Sequence, residues 1–318
     1  MRKNSTKLII LAVIALICVA LFAFYNIQGS FSYAFPKRLE RIAAMVITGT
    51  AIAFASIIFQ TVTHNRLLTP SMIGVDSMYE VVQTIIFFFA GTASIFVVNR
   101  YLNFVALIIA IILYALLLYR FLFIADKYPI FLLLLAGMII GTLLGSLTTF
   151  LQVIIDPVEY ESLQSRLFAS FMNVKTELLL IAFIILLACF VYGWRLLRDL
   201  DVVSLGRDNA INLGVNYDKM VLKVIVLSSI LIATSTALVG PVTFLGLIVA
   251  NLSYQFFATY KHSVLIVGAS LISIIALVGG QFLVLHVFNL NTTISVVINF
   301  IGGIYFIYLL LKESRKAG

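Results

Sequence analysis

A chain of 318 residues that is 63% hydrophobic and only 11% charged does not fit a water-soluble domain, where about 25% of residues carry charge; it reads as a polytopic membrane protein. The formal net charge of +8 comes with no basic patch interleaved with aromatics, so it argues against a nucleic-acid surface and for Lys- and Arg-rich cytoplasmic loops beside membrane lipid. Cys18 and Cys189 both fall inside apolar runs, which argues against a disulfide framework or a metal site and for small buried hydrophobes.

Arg2, Lys3 and Lys7 precede an apolar run over 8–24. The run is long and no small-x-small cleavage site follows, so it predicts an uncleaved first span with a cytoplasmic N-terminus. Hydropathy predicts further spans over 42–62, 77–98, 103–123, 130–154, 177–197, 219–239, 243–259, 263–286 and 293–311, about ten in all, each near the roughly 20 residues a bilayer demands. The run 243–259 is short and follows Gly240-Pro241, which points to a broken or tilted segment. With both termini inside, most of the 21 Lys and Arg residues fall on the cytoplasmic side, as the positive-inside rule requires. Lys37, Arg38 and Arg41 form an outer cluster that runs against it.

The fifth span carries Gly137, Gly141 and Gly145, a small-residue row that suits close helix packing. The outer loop 156–175 starts acidic and predicts a short helix over about 158–171. The interval 195–219 is the longest polar stretch. Ser204 is a candidate N-cap and Gly214 a candidate left-handed C′ residue. Leu205, Ile211 and Leu213 are apolar there, and Arg207, Asp208, Asn209 and Asn212 polar, which predicts a surface helix of roughly 14 Å at 1.5 Å per residue. A solvated loop between two spans and a docking element for a soluble partner are both open readings.

The predicted span interiors hold almost no ionisable groups. Glu80 sits near a span end, and Arg120 and Asp126 at an inner boundary. An ion-coupled carrier usually needs such a group within the membrane. No GxxxxGK[ST], HExxH or GxSxG motif occurs. His64, His262 and His286 fall in or beside predicted loops and read as surface or interface residues. The chain therefore reads as a pore or carrier without its own energy source. A partner must bring the energy, and no residues support a membrane-bound enzyme.

Four stretches carry a family resemblance. Arg38-Leu39-Glu40-Arg41 resembles RLPR, with Glu40 in place of the proline. The segment 65–75, with Asn65, Pro70 and Gly74, resembles NPLAxPxxLGV. The segment 205–215, with Leu205, Gly206, Arg207, Asp208, Ala210, Leu213 and Gly214, resembles LGExxAxxLGV. The segment 240–249, with Gly240, Pro241 and Gly246, resembles GPIxFVGLIV. In this order and spacing they resemble the FecCD/BtuC family, the permease subunits of type II ABC importers for iron–siderophores and vitamin B12. Ala250, Asn251 and Tyr254 stand where the family has PH and then Arg, and Thr293 and Ser295 where it has the proline and glycine of IPxG. These departures resemble the petrobactin and anguibactin subgroup and make vitamin B12 a poorer cargo.

The resemblance implies an all-α fold of about ten transmembrane helices in one permease domain over 1–318, with a cytoplasmic coupling helix at about 204–214. It implies ferric-siderophore uptake across the cytoplasmic membrane by alternating access, with two cytoplasmic ATPase subunits docking on Ser204 to Gly214. ATP and Mg are then used by those partners, and this chain binds no cofactor. It also implies a second permease subunit, a heterodimer being favoured. An extracellular siderophore-binding lipoprotein would offer acidic residues to Arg38 and Arg41, which explains the outer basic cluster; a simple interfacial anchor is the other reading of that cluster. Thr142, Ser146, Thr148 and Thr149 line the path under this resemblance, with helix packing an equal reading. The alternative function is an ATP-independent secondary carrier for a small hydrophilic solute.

Overall fold

The computed structural model describes residues 2–27, 30–123, 130–172, 174, 176–288 and 292–317. Asp126 and Lys175 lie outside the described residues, as do the side chains of Arg2 and Lys3. The described chain is helical throughout. Eight helices are long and apolar enough to cross a membrane. They are α1 (Arg2–Phe24), α2 (Phe31–Thr63), α5 (Arg100–Phe123), α6 (Ile130–Ile154), α8 (Thr176–Val203), α10 (Tyr217–Val239), the composite α12 (His262–Ile274) with α13 (Gly280–Phe282), and α14 (Ile294–Ala317).

Two of the predicted spans are only half-spans. The run 77–98 becomes α3 (Val75–Ala90), which stops at Gly91, and the four-residue α4 (Ile95–Val98). The run 243–259 becomes α11 (Leu245–Phe257), the short segment its Gly-Pro start predicts. At 1.5 Å per residue they reach about 24 and about 20 Å, short of a hydrocarbon core of about 30 Å. Their N-terminal ends meet. Thr243, just before α11, donates its hydroxyl to Asp76 in the first turn of α3 at 2.8 Å. Irregular backbone at membrane depth survives only where protein covers it, and Asp76 is only 7% exposed.

Burial ranks the helices. The apolar window of α2 is 78% buried and that of α10 67%, against 22% for α1, α6 and α8. So α2 and α10 form the core and the others face lipid or partners. Phe54, Ile57, Ile58 and Phe59 of α2 are almost wholly enclosed. The glycine row of α6 packs against a 3-10 turn (Pro70–Ile73) and Gly74, rather than against another span. A Cβ on Gly141 would lie 3.0 Å from Gly74 Cα, and one on Gly137 would lie 2.9 Å from Ile73 Cβ, whereas Gly145 has no neighbour within 4 Å. The outer-loop helix is α7 (Pro157–Leu167), started by Asp156, whose Oδ1 accepts Val158 N–H at 2.9 Å.

Candidate functional site

The polar interval after α8 folds as a compact corner. α9 (Arg207–Asn212) has six residues and is about 9 Å long, shorter than the predicted 14 Å. The reason lies at its start. Ser204 is not the N-cap: its hydroxyl donates backwards to Asp201 O at 2.6 Å, a local bond that competes with capping. Gly206, at φ +101°, occupies the N-cap position instead. The other end is as the sequence predicts. Gly214 is left-handed at φ +85°. Val215 N–H reaches Ala210 O at 3.0 Å and Gly214 N–H reaches Ile211 O at 2.9 Å, which is the full Schellman pattern.

Only Ala210 of α9 is buried; Leu205, Ile211 and Leu213 are 57%, 49% and 63% exposed. Arg207 lies 3.6 Å from Asp218, with both side chains more than half exposed, and Asp208 is exposed. Tight backbone bonds thus hold a stiff corner that presents three apolar side chains and a rim of charge.

At the opposite end, Arg38 and Arg41 share the wall of a cavity of about 1160 Å³ with Lys37, Glu40, Arg100 and Glu177. Their environments differ. The Arg38 guanidinium donates to Phe22 O at 3.0 Å, Ala23 O at 3.5 Å, Tyr25 O at 2.6 Å and Asn26 O at 3.0 Å. It caps the carbonyl end of α1, a duty the sequence reading did not assign. Arg41 keeps its Nε buried without a partner. Lys37 is paired to Glu40 at 2.9 Å. A second cavity, of about 600 Å³, includes Arg100, Arg166 and Gly240 in its wall. Burial first, and Arg100 as well, hold the Arg166 guanidinium below its usual range, with Tyr79 opposing them.

The motif glycines and prolines build the turns that lead into α3 and α11. Asn65 Oδ1 accepts Leu67 N–H at 2.9 Å, Pro70 opens the 3-10 turn, and Gly74 is left-handed at φ +93°. Gly240 and Pro241 carry the chain from α10 to α11, close to Ala169, and Gly246 packs on Ile52 and Ser56. Thr142, Ser146 and Thr149 are exposed on α6, and each hydroxyl donates to a carbonyl four residues back. Thr148 is 4% exposed and leaves that exposed set.

Three features escaped the sequence reading. Asp76 is a buried carboxyl one residue before the predicted span. His262 is 2% exposed and so is no surface histidine. Arg66 stacks over Tyr254 at 4.8 Å, and its carbonyl accepts from Asn251 at 2.9 Å and Gln60 at 2.8 Å, so the departures at 251 and 254 form one contact with the 65–75 turn. Among the described residues, no group of three His, Cys, Asp or Glu could hold a metal ion.

A model of the FecCD transport family matches residues 8–312. The chain is 51% identical over 314 residues to the petrobactin import system permease protein YclO of Bacillus subtilis, covering 99% of both chains. It is 33% identical over 323 residues to the petrobactin import system permease protein FatC of Bacillus anthracis, covering 98% of this chain and 91% of that one. A solved structure described as an inward-facing metal-chelate type ABC transporter superposes with a TM-score of 0.84 at 26% identity, over 97% of this chain and 99% of the other.

Proposed function

This chain belongs to the FecCD transport family, and on that footing we propose that it is the membrane permease subunit of an ATP-binding-cassette importer for a ferric siderophore of the petrobactin class. Two cytoplasmic ATPase subunits dock on the 204–214 corner and hydrolyse Mg-ATP, and this chain holds neither nucleotide nor metal. A second permease packs on the exposed face of α6, where Thr142, Gly145, Ser146 and Thr149 allow close approach. The two petrobactin import permeases of Bacillus anthracis, FatC and FatD, support a heteromeric pair. An extracellular siderophore-binding lipoprotein meets the outer mouth at Arg41, and both termini are cytoplasmic.

The observation that carries this reading is the corner itself. Three large apolar side chains, Leu205, Ile211 and Leu213, stand exposed on a segment whose C-terminal end is closed by the Gly214 and Val215 backbone bonds. Burying the exposed half of each against a partner is worth about 1–1.5 kcal/mol apiece. A solvated connection has no need of them. The test is Leu213→Asp and Gly206→Leu in the reconstituted complex. Leu213→Asp is expected to lower ATPase co-purification at least tenfold, about 1.4 kcal/mol, while permease yield holds. Normal co-purification and transport in both variants would remove the coupling role.

The secondary-carrier reading gains one residue, Asp76. Its place argues otherwise. It sits in the first turn of α3, where a carboxyl complements the helix dipole, and accepts from Thr243. That is a joint between half-spans. ATP-independent uptake by the purified permease pair in liposomes would establish the carrier.

A further inference from the structure

The α9 corner hangs between α8 and α10, and its two attachments differ in kind. Towards α10, Arg207 lies 3.6 Å from Asp218, both open to solvent, a pair that water screens, and the Arg207 guanidinium sits 5.9 Å from the ring of Tyr217. Towards α8 the connection runs inward from the exposed Ser204, through the part-buried Asp201, to the enclosed His262. Ser204 donates to Asp201 O at 2.6 Å. The Asp201 carboxyl then leaves its own helix. Its Oδ1 accepts His262 N–H at 2.9 Å, which satisfies an orphan donor at the start of α12, and also lies 2.5 Å from His262 Nδ1. On the far side of the ring, His262 Nε2 shares a hydrogen bond of 2.7 Å with Thr61 Oγ1, and Thr61 donates to Ile57 O at 2.8 Å. Four hydrogen-bonded residues thus join the corner, α8, α12 and α2.

The order Asp–His–Thr is that of a charge relay for nucleophilic catalysis, but this is no hydrolytic site. Thr61 is 8% exposed, and the ring it faces is enclosed. The arrangement is mechanical. A carboxyl that accepts a helix-terminal N–H and a ring nitrogen together fixes both the position and the rotation of α12 relative to α8. A hydrogen-bonded network anchored on an enclosed ring resists distortion more than a surface pair does. α12 can also absorb the displacement. It passes through two π-turns, Ile275–Gly279 and Leu283–Val287, the kind of interruption at which a helix re-winds or bends.

We propose that Asp201, His262 and Thr61 are positioning residues that transmit displacement of the 204–214 corner to the inner ends of α12 and α2. The inference rests on the ATPase docking proposed above and adds the route by which the stroke enters the core. When the corner moves, the inner end of α8 moves with it and draws α12 by the Asp201–His262 contact. Thr61 carries the remainder to the central helix.

The test uses the complete complex, with both permeases, the ATPases and the binding protein, in proteoliposomes, and reads chelate imported per ATP hydrolysed. Asp201→Ala is expected to lower that ratio about tenfold, the scale of a lost hydrogen bond to a charged group. Thr61→Val, which keeps the shape and deletes the far hydroxyl, is expected to lower it about threefold, the scale of a neutral bond. Asp201→Asn, which still accepts from His262 N–H, is expected to recover part of the loss. A merely structural role would lower the yield of assembled complex and leave the ratio unchanged, and an unchanged ratio in Asp201→Ala and Thr61→Val overturns the proposal. If Asp201→Ala fails to assemble, the Thr61→Val ratio alone decides. Failure of the parent reading looks different: the wild-type complex would show no ATP-driven import at all.

Discussion

Arg38 separates two explanations of the outer basic cluster, because its geometry assigns it a structural cost that docking does not. Replacing it by alanine strips donors from four carbonyls at the end of α1, of which Phe22 and Ala23 belong to residues only 3% and 4% exposed. The bonds to Tyr25 and Asn26 are exposed, and water replaces them at little cost. The buried carbonyls lose a charged donor worth about 1.5–3 kcal/mol, part of it helix-terminus charge complementarity of up to about 2 kcal/mol. At 3.5 Å the Ala23 bond adds little. Arg38→Ala is therefore expected to destabilise the permease by about 2–3 kcal/mol. Arg38→Lys should restore less than half, since a point charge does not fork across several carbonyls. Thermal unfolding of the purified permease pair, beside a binding-protein docking measurement, checks this. Arg41→Ala should give the inverse pattern of weaker, salt-sensitive docking with little change in unfolding. An Arg38→Ala permease that unfolds like the wild type but docks poorly would refute the capping argument.

Further substitutions compare the turn before α3 with the α9 corner and test the Asp76 joint. Gly74→Ala combines a left-handed backbone penalty with a Cβ that would overlap the Tyr114 hydroxyl and lie 3.0 Å from Gly141 Cα, so it should cost roughly 2–4 kcal/mol. Gly214→Ala, with a similar φ but no neighbour within 4 Å, should cost about 1 kcal/mol; equal unfolding shifts would contradict the packing of the Gly74 turn on α5 and α6. Asp76→Ala leaves the Thr243 hydroxyl without its acceptor and should cost about 1–3 kcal/mol. Asp76→Asn keeps an acceptor and should retain ATP-driven import, and loss of all import with normal assembly would instead favour an ion-coupled carrier.

The sequence made the punctuation legible. Gly, Pro and Asn at 65–74, 206–214 and 240–246 mark backbone that only certain residues adopt, and the structure has its turns there. Hydropathy found every long helix because lipid demands continuous apolar runs. It failed at 77–98 because Ile95 to Val98 keep the window apolar past the break at Gly91. Distance in the chain hid the rest. Arg38 meets a helix that ended 14 residues earlier, and a basic residue just after a helical hairpin could have been weighed as a cap. His262 meets Asp201 across 61 residues, and nothing in periodicity announces such a pair. Ser204 was misread because its hydroxyl has two local partners within reach, and the carbonyl behind it won.

Burial also says how a push at the corner must divide. The corner joins α8, whose apolar window is 22% buried, to α10, at 67%. A helix held by few neighbours tilts at lower cost than one enclosed on all sides, because close-packed interiors transmit strain while lipid yields. Under the proposed docking, α10 would act as the fulcrum and α8 as the lever. The part-buried Asp201–His262 contact lies at the lever's moving end, where it would draw α12 most. Were the Arg207–Asp218 pair the stiffer attachment, the same push would load α10 and the core would resist it. Under the proposed docking, the order of these two contacts in strength, one part-buried and one open to solvent, would decide which helices move first.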